Sequence, residues 1–346
     1  MSSAVEDGST SSRPTGLLFL SRADVARSGG RSSKIFVKAV SQALALHARG
    51  DIAQPLKPYL RWRPDGHIAD RIIAMPAYLG GAEPIAGLKW IGSKHDNPER
   101  LNLERASALI VLNDSETHYP VAVMEGGLIS ALRTAAVTAV ATRHLAKTNF
   151  TQVSCIGCGP IGRAHVLTTL EQFTQVKVVH LFDLRHEAAA LLAAELSERY
   201  PGVDAVVATG PEEAVRAGEL VMTCTVSSQP WLPFEWLQQG AFLSNVSIMD
   251  AEKDVFLKSA KVVVDDWNQC NREGKVLHQL ASEGRFTRAD LHAELGQVVV
   301  GDRSGRENDS EVIVLNPMGM AIVDIACAKA VYDLAREAGV GTWLSL

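Results

Sequence analysis

Gly157-Cys158-Gly159-Pro160-Ile161-Gly162 decides how this chain is read. The G-x-G-x-x-G directly follows a strand-prone run at 153–156, and residues 161–173 then carry helical spacing. In such a strand–turn–helix the first glycine makes the tight turn and the second lets a pyrophosphate approach the backbone. The third lets helix and strand pack closely. The helix start offers free N–H groups and the positive end of its dipole to phosphates. Asp183 ends the next strand-prone run at 178–182, where a carboxylate accepts bonds from the adenosine ribose hydroxyls. The bland alternative is a glycine-rich turn beside an ordinary strand-end Asp; strand, helix and Asp together favour a dinucleotide. Gly157, Gly159, Pro160, Ile161, Gly162 and Asp183 are therefore the candidate cofactor residues on the adenosine side. Asp183 would repel a 2′-phosphate, which predicts NAD over NADP, although Arg185 lies two residues on.

Downstream the rhythm is strand, helix, strand. Runs at 177–182, 203–208, 220–224, 241–245 and 261–264 read as strands, with helices such as 187–200 between them. Alternating βαβ units imply a doubly wound parallel sheet. Thr223, Thr225 and Ser244-Asn245-Val246-Ser247 fall at the carboxyl ends of those strands, where the nicotinamide half should lie. They equally could just end strands. Lys253, a little further on, is placed on the same cofactor side.

Upstream, Leu17-Leu18-Phe19-Leu20 precedes Ser21-Arg22-Ala23-Asp24, a capping-box-like helix start. Residues 33–49 carry one apolar stripe at helical spacing. Short apolar runs at 71–75, 85–91, 106–112 and 121–124 alternate with turn-formers such as Pro64-Asp65-Gly66 and Gly80-Gly81, which predicts an antiparallel sheet. An Ala-rich helix at 128–145 leads out of it. A strand at 312–315 and a helix at 320–336 are expected to return to this first domain. The predicted fold is thus α/β, a Rossmann domain at 146–310 inserted in an antiparallel α+β substrate and dimerisation domain at 17–145 plus 311–346. Residues 1–16, rich in Ser, Gly and Thr and without a basic or apolar signal region, read as a flexible tail.

Composition narrows the function class. A 346-residue chain with 47% hydrophobic and 21% charged residues has material for two globular domains. Its net charge of −5 and lack of a basic patch speak against nucleic acid, and no apolar run is long enough to span a membrane. Five scattered cysteines fit a reducing cytoplasm better than a disulfide framework. Cys155-x-x-Cys158 has no second pair and reads as packing. The histidines show no metal spacing, so no metal is expected, and His165 reads as a helix-face residue. Trp231 and Trp236 read as local packing.

Three polar residues stand out. Lys89 sits within the apolar run Gly87-Leu88-Lys89-Trp90-Ile91 and points either into a cavity or outward. Arg133 lies among small residues in Ala131-Leu132-Arg133-Thr134-Ala135-Ala136, where a cation is expected if something anionic meets it; the alternative is a solvated face. Asp250, shortly after the last nicotinamide-side strand, is open to the same two readings.

With these residues the sequence resembles the ornithine cyclodeaminase/μ-crystallin family from about Leu17 to Ala338. The matching blocks include Leu20 to Val25, Met75-Pro76, Gly87-Leu88-Lys89, Glu116-Thr117-His118-Tyr119-Pro120, Leu132-Arg133-Thr134-Ala135-Ala136, the glycine loop and Gly305-Arg306 with Glu311. Within it the chain is most similar to dehydrogenases of 2,3-diaminopropionate biosynthesis, through residues 71–77, Lys89-Trp90-Ile91, Arg105-Ala106-Ser107-Ala108 and Asn316-Pro317-Met318-Gly319-Met320-Ala321. Ala74 and Asn316-Pro317 replace a Glu and an acidic turn usual in cyclodeaminases, which speaks against ornithine cyclisation. The resemblance implies NAD-dependent oxidation of N-(1-amino-1-carboxy-2-ethyl)-glutamate, followed by hydrolysis to 2,3-diaminopropionate and 2-oxoglutarate. That reaction serves siderophore or peptide natural-product pathways, alongside a partner resembling cysteine synthase. It further implies a homodimer and an amino-acid substrate. Asp250 and Lys89 take the catalytic positions. Arg71, Met75, Arg105, Arg133, Asn316 and Met318 take substrate positions, with Arg61 or Lys57 in place of an upstream family arginine. Cyclodeamination, ketimine reduction and a crystallin-like binding role without turnover remain the alternatives.

Overall fold

Alternation is what builds the first sheet. In β4 (Arg71–Leu79) Met75, Ala77 and Leu79 are buried, and in β6 (Ala106–Asp114) Ala108, Ile110 and Leu112 are, with their neighbours turned outward. Between them β5 (Ile85–Ser93) buries Ile85, Gly87 and Lys89 on the same face, so the lysine occupies a core position. The computed structural model describes residues 16–63, 66–67 and 70–346; most of the expected tail, and Pro64-Asp65 of the expected turn, lie outside the described residues.

The remaining strands of this sheet are β1 (Gly16–Leu20), β2 (Ile52–Ala53), β3 (Tyr59–Leu60), β7 (Pro120–Glu125) and β16 (Thr342–Ser345). Their order is β16-β1-β7-β6-β5-β4-β2, with β3 also on β4. Pairing is antiparallel except between β1 and β7, which run parallel, so the expected antiparallel sheet is in fact mixed. Helices Ser33–Ala48, Gly127–Leu145 and Ala321–Glu337 pack together over its inner face.

The second sheet is wholly parallel. It comprises β8 (Gln152–Ile156), β9 (Val178–Phe182), β10 (Asp204–Val207), β11 (Leu220–Thr223), β12 (Phe242–Asn245), β13 (Lys261–Val264), β14 (Ala293–Glu294) and β15 (Ile313–Asn316). The order β10-β9-β8-β11-β12-β15-β13-β14 turns back on itself between β8 and β11, which opens a crevice at their carboxyl ends. The expected domain boundary at 311 needs correction. Strand β15 lies inside the parallel sheet between β12 and β13, and the chain leaves that sheet only after Asn316. Local pattern identifies the strand; its neighbours follow from tertiary packing.

The two sheets share structure. One apolar core runs from Leu18 and Leu20 through Ala136 and Ala139 to Val153 and Leu181. On the far side of the parallel sheet Val221, Leu243, Val264 and Val314 form a second. The Thr138 hydroxyl of the Ala-rich helix meets Ser244 Oγ of β12 at 2.8 Å, and His165 Nε2 at 3.2 Å. His165 is therefore a buried joint between helices, and burial lowers its pKa to about 4.

Candidate active site

The glycine loop begins where β8 ends. Gly157 has φ +95°, and a Cβ there would lie 2.7 Å from the Cys224 carbonyl carbon and oxygen of the loop after β11. A Cβ on Gly162 would meet Gly157 O at 1.9 Å, so helix Pro160–Gln172 can approach the turn only with glycine there. A Cβ on Gly159 would meet nothing within 4 Å, which makes this the open side of the loop. The helix starts with Pro160 and no side chain caps its N–H groups. Asp183 Oδ2 accepts from Cys158 N at 2.8 Å and Oδ1 from Arg185 N at 2.9 Å, which aims the carboxylate across the loop. An open glycine edge, uncapped amides and a strand-end carboxylate fit a dinucleotide's pyrophosphate and ribose. Cys155 and Cys158 are both buried and in no disulfide; against the lowering contact with Cys158, the Cys224 contact and burial raise the Cys155 thiol pKa, while the Cys155 contact and burial raise that of Cys158.

The strand-end polar residues expected beside nicotinamide are mostly bonded to one another. Thr223 Oγ1 donates to Asn245 Oδ1 at 3.1 Å, and Asn245 Nδ2 donates to Asn316 Oδ1 at 2.7 Å. This places Asn316, expected on the substrate side, within a buried chain across β11, β12 and β15. Ser247 Oγ is buried with no hydrogen-bond partner among the described residues, next to half-buried Val246. Lys253 opens helix Lys253–Lys258, and its ammonium is bonded to Glu283.

Asp250 is fully buried, so the exposed-turn reading is wrong. Its Oδ1 accepts from Thr225 Oγ1 at 2.5 Å and from Trp231 Nε1 at 2.9 Å. Oδ2 is buried and has no partner among the described residues. Two donors thus fix the carboxylate while one oxygen stays available. Trp231 is more than local packing, because its indole N–H orients this group.

A second buried cluster lies under the first sheet. Lys89 Nζ donates to Asp324 Oδ1 at 2.8 Å and to Ser130 Oγ at 3.2 Å. Arg133 Nε donates to the same Asp324 oxygen at 2.8 Å. The two terminal nitrogens of Arg133 make no hydrogen bond among the described residues. They pass close to Gly319, where a Cβ would come within 3.0 Å of Nη1. Lys57 Nζ donates to the carbonyls of Met318 at 3.0 Å and Gly319 at 2.8 Å. Burial first, then the neighbouring cations, lowers Lys89 to about 7 despite the opposing pull of Asp324. Burial likewise lowers Lys57 to about 8. Asp265 is bound to the Met318 and Gly319 amides, and Asp324 faces two cations alone. The cluster is therefore short of negative charge, and the Arg133 fork is where a planar carboxylate can supply it.

Met75 is buried in β4 directly opposite Lys89 in register. Arg105 is half-buried and donates to Ser93 Oγ at 3.1 Å. Arg61 pairs with Glu273 at 2.9 Å, and both Arg61 and Arg71 lie over the Tyr59 ring. The sequence reading missed Asp324, although a carboxylate amid Ala321-Ile322-Val323-Asp324-Ile325-Ala326 carries the same signal as Arg133. The sequence reading left the histidines dispersed and expected no metal. Pairing of β4 with β5 gathers His67, Asp70 and His95 with ligand atoms within 4.8 Å of one another, and Lys94 Nζ sits 2.6 Å from Asp70 Oδ2.

The sequence model of the ornithine cyclodeaminase/mu-crystallin family matches residues 18–339. The N-((2S)-2-amino-2-carboxyethyl)-L-glutamate dehydrogenase of Staphylococcus aureus (strain NCTC 8325 / PS 47) is 53% identical over 331 residues, which cover 95% of this chain and 98% of that protein. An archaeal alanine dehydrogenase dimer with bound NAD matches with a TM-score of 0.85 and 32% identity, over 95% of this chain and 99% of its own. The Delta(1)-pyrroline-2-carboxylate reductase of Thermococcus litoralis, solved with NADH and L-proline, matches with a TM-score of 0.87 and 28% identity, over 94% and 99%.

Proposed function

The chain belongs to the ornithine cyclodeaminase/mu-crystallin family, and from that premise we propose that it is an NAD-dependent amino-acid dehydrogenase. Its substrate is N-(1-amino-1-carboxy-2-ethyl)-glutamate and its products are 2,3-diaminopropionate and 2-oxoglutarate. The observation that carries this reading is the 53% identity, across 98% of its length, to a relative of that activity.

The site's own groups suit the chemistry. NAD, when bound, supplies a hydride acceptor. Arg133 offers its free fork to the α-carboxylate of the glutamate moiety, and Lys89 beside it holds Cα in place. Hydride leaves Cα only when the bridging nitrogen is neutral, because its lone pair forms the new C=N bond. Asp250 Oδ2, unpartnered and held by Thr225 and Trp231, takes the ammonium proton. The Cα–H pair leaves as hydride, the nitrogen keeps its remaining proton, and a protonated imine results. Once Asp250 has passed its proton to solvent, it serves again. It takes a proton from the water that adds to the imine carbon and returns it to the leaving nitrogen, so that C–N cleavage releases the keto acid and the amine.

The homodimer is part of the proposal. Pro76, Leu88, Val111, Val123 and Phe19 stand in one register row across five strands, on the sheet face away from the helices. Trp90 and Leu109, paired in the adjacent row, are 44% and 49% exposed. A continuous apolar face of this kind fits a second copy of the chain. No helix among the described residues is long and apolar enough to cross a membrane. With all five cysteines unpaired, we place the enzyme in the cytoplasm. Its substrate requires a preceding step that joins glutamate nitrogen to a serine-derived carbon, the chemistry of a cysteine-synthase-like partner. Its diamine product suits siderophore or peptide-antibiotic assembly. The deciding assay is NADH absorbance with this substrate and with ornithine, with the keto acid quantified. Faster turnover of ornithine, or no NADH, overturns the reading.

A further inference from the structure

All four main-chain polar groups of one two-residue segment end on two buried charges. The Met318 and Gly319 amides donate to Asp265, at 3.0 Å to Oδ1 and 2.7 Å to Oδ2. The carbonyls of the same two residues accept from Lys57 Nζ, at 3.0 and 2.8 Å. Asp265 is 1% exposed and Lys57 4%. A turn can satisfy its backbone with neutral groups or water. Two buried ions do so at a greater desolvation cost, and they hold both peptide groups in one orientation.

The segment lies where the chain passes from one sheet to the other. Strand β15 ends at Asn316, and helix Ala321–Glu337 packs on the first sheet. Asp265 directly follows β13 of the parallel sheet, whereas Lys57 stands between β2 and β3 of the first. Each domain thus supplies one of the two charges. The Lys57 stretch is itself tied down, because Gln269 Nε2 donates to the Pro55 carbonyl at 3.3 Å and Arg272 Nη1 to the Lys57 carbonyl at 3.2 Å. At one end of the segment Asn316 accepts from Asn245 at the carboxyl end of β12, and Cys270 Sγ lies 3.2 Å from both the Asn316 carbonyl and Asp265 Oδ1. At the other end Gly319, with φ +82°, borders the Arg133 guanidinium. A Cβ there would stand 3.0 Å from Nη1 and 3.3 Å from Nη2. Four residues therefore connect the strand ends of the cofactor domain to the Arg133 fork.

We infer that Lys57 and Asp265 are positioning residues, which grip Met318 and Gly319 from both domains and thereby set the Arg133 fork relative to the carboxyl ends of β12 and β15. The inference rests on the dehydrogenase reading and deepens it. Lys57 acts through the turn, with two of its three N–H groups engaged by carbonyls, and not by holding the substrate itself. Should the turn shift, the fork shifts with it, and so does the substrate Cα anchored there. A misplacement of about 1 Å can cost on the order of 10²-fold in rate.

The test measures substrate binding and hydride transfer separately. Calorimetry without NAD gives the substrate affinity directly, since no reaction occurs. Lys57→Met should weaken that affinity by about 10- to 100-fold and leave NAD affinity at the wild-type value. With substrate deuterated at the glutamate Cα, its isotope effect on kcat should grow as transfer becomes the slow step. Asp265→Asn keeps one acceptor and should fall between wild type and Lys57→Met. Gly319→Ala presses on the Arg133 fork directly and should resemble Lys57→Met. The double variant should be little worse than either single one, because both act on the same turn. Melting curves check folding, and Asp265→Asn and Gly319→Ala carry the test if Lys57→Met does not fold. Wild-type substrate affinity and isotope effect in folded variants show a structural role only and overturn the inference. Losses that multiply in the double variant make Lys57 a substrate contact and overturn it too. A wild type that yields no NADH from this substrate removes the dehydrogenase reading, and the inference falls with it.

Discussion

Lys89 and Asp324, 235 residues apart in sequence, meet at 2.8 Å with both side chains closed to solvent. Arg133 reaches the same carboxylate oxygen, so one atom ties β5, the Ala-rich helix and the last long helix together. Removing a partner from a buried pair leaves an uncompensated charge, which typically costs about 3–5 kcal/mol. Asp324→Asn keeps the shape and should lose stability of that order, read as a lower denaturant midpoint. It should also leave Lys89 neutral at neutral pH, since the carboxylate is what opposes its desolvation. An unchanged midpoint would show that the three elements hold without this contact.

Asp250→Asn should retain NAD and substrate binding. The loss falls on kcat, by about 10²–10⁴-fold, the usual contribution of a positioned acid–base group. Trp231→Phe removes one of the two donors to Oδ1 and should fall between wild type and Asp250→Asn. Near wild-type NADH production by Asp250→Asn would take this carboxylate out of the mechanism.

Gly159→Val places a branched side chain on the open edge of the loop and should abolish dinucleotide binding without unfolding the chain. Wild-type enzyme should favour NAD over NADP, since Asp183 would face the extra phosphate. Repulsion between partly desolvated charges is worth on the order of 1–3 kcal/mol. Titration of both cofactors decides; equal affinities would mean that Arg185 offsets Asp183.

His165 makes stability depend on pH. Its pKa falls from 6.5 to about 4 on folding, with burial the main cause. The unfolded chain therefore binds the proton more readily, and stability is intact above about pH 6.5. As pH falls from there toward 4 the stability drains away, by up to about 3 kcal/mol for this group. His165→Gln should flatten the unfolding free energy across that window, whatever its absolute value. A pH profile the same as wild type would assign the acid sensitivity elsewhere.

Leu109→Glu sets a charge in the exposed apolar face of the first sheet, outside both buried clusters. Sedimentation should show a dimer for the wild type and a monomer for this variant. A variant that sediments like wild type would move the interface to another surface.

Much of this was legible in the sequence, and what was hidden has a common cause. The strands from 71 to 125 are visible because burial alternates along them, and the parallel strands because helical stretches separate them. Lys89 and Arg133 stand out because a cation in an apolar run needs an anion. The anion itself, Asp324, carries the same signal amid its apolar neighbours, but which cations it meets is settled only when the folded chain sets it beside them. The Trp231 bond to Asp250 has no local pattern, because it joins the segments that follow β11 and β12. The His67, Asp70 and His95 group arises from strand pairing, and β15 takes its place in the parallel sheet by a route that periodicity does not encode. Local rules describe elements; which elements become neighbours is settled by burial of the whole.

The lateness of β15 has a consequence for synthesis. The parallel sheet cannot close between β12 and β13 until residues 313–316 have left the ribosome, some 160 residues after β8 has emerged. The first sheet waits longer still, because β1 takes its second neighbour from residues 342–345. Each half of the nascent chain thus carries an unmated edge through most of translation, where a premature partner could pair with it. Such a topology folds slowly for its length, and the first sheet is complete only when the last strand, β16, has paired with β1.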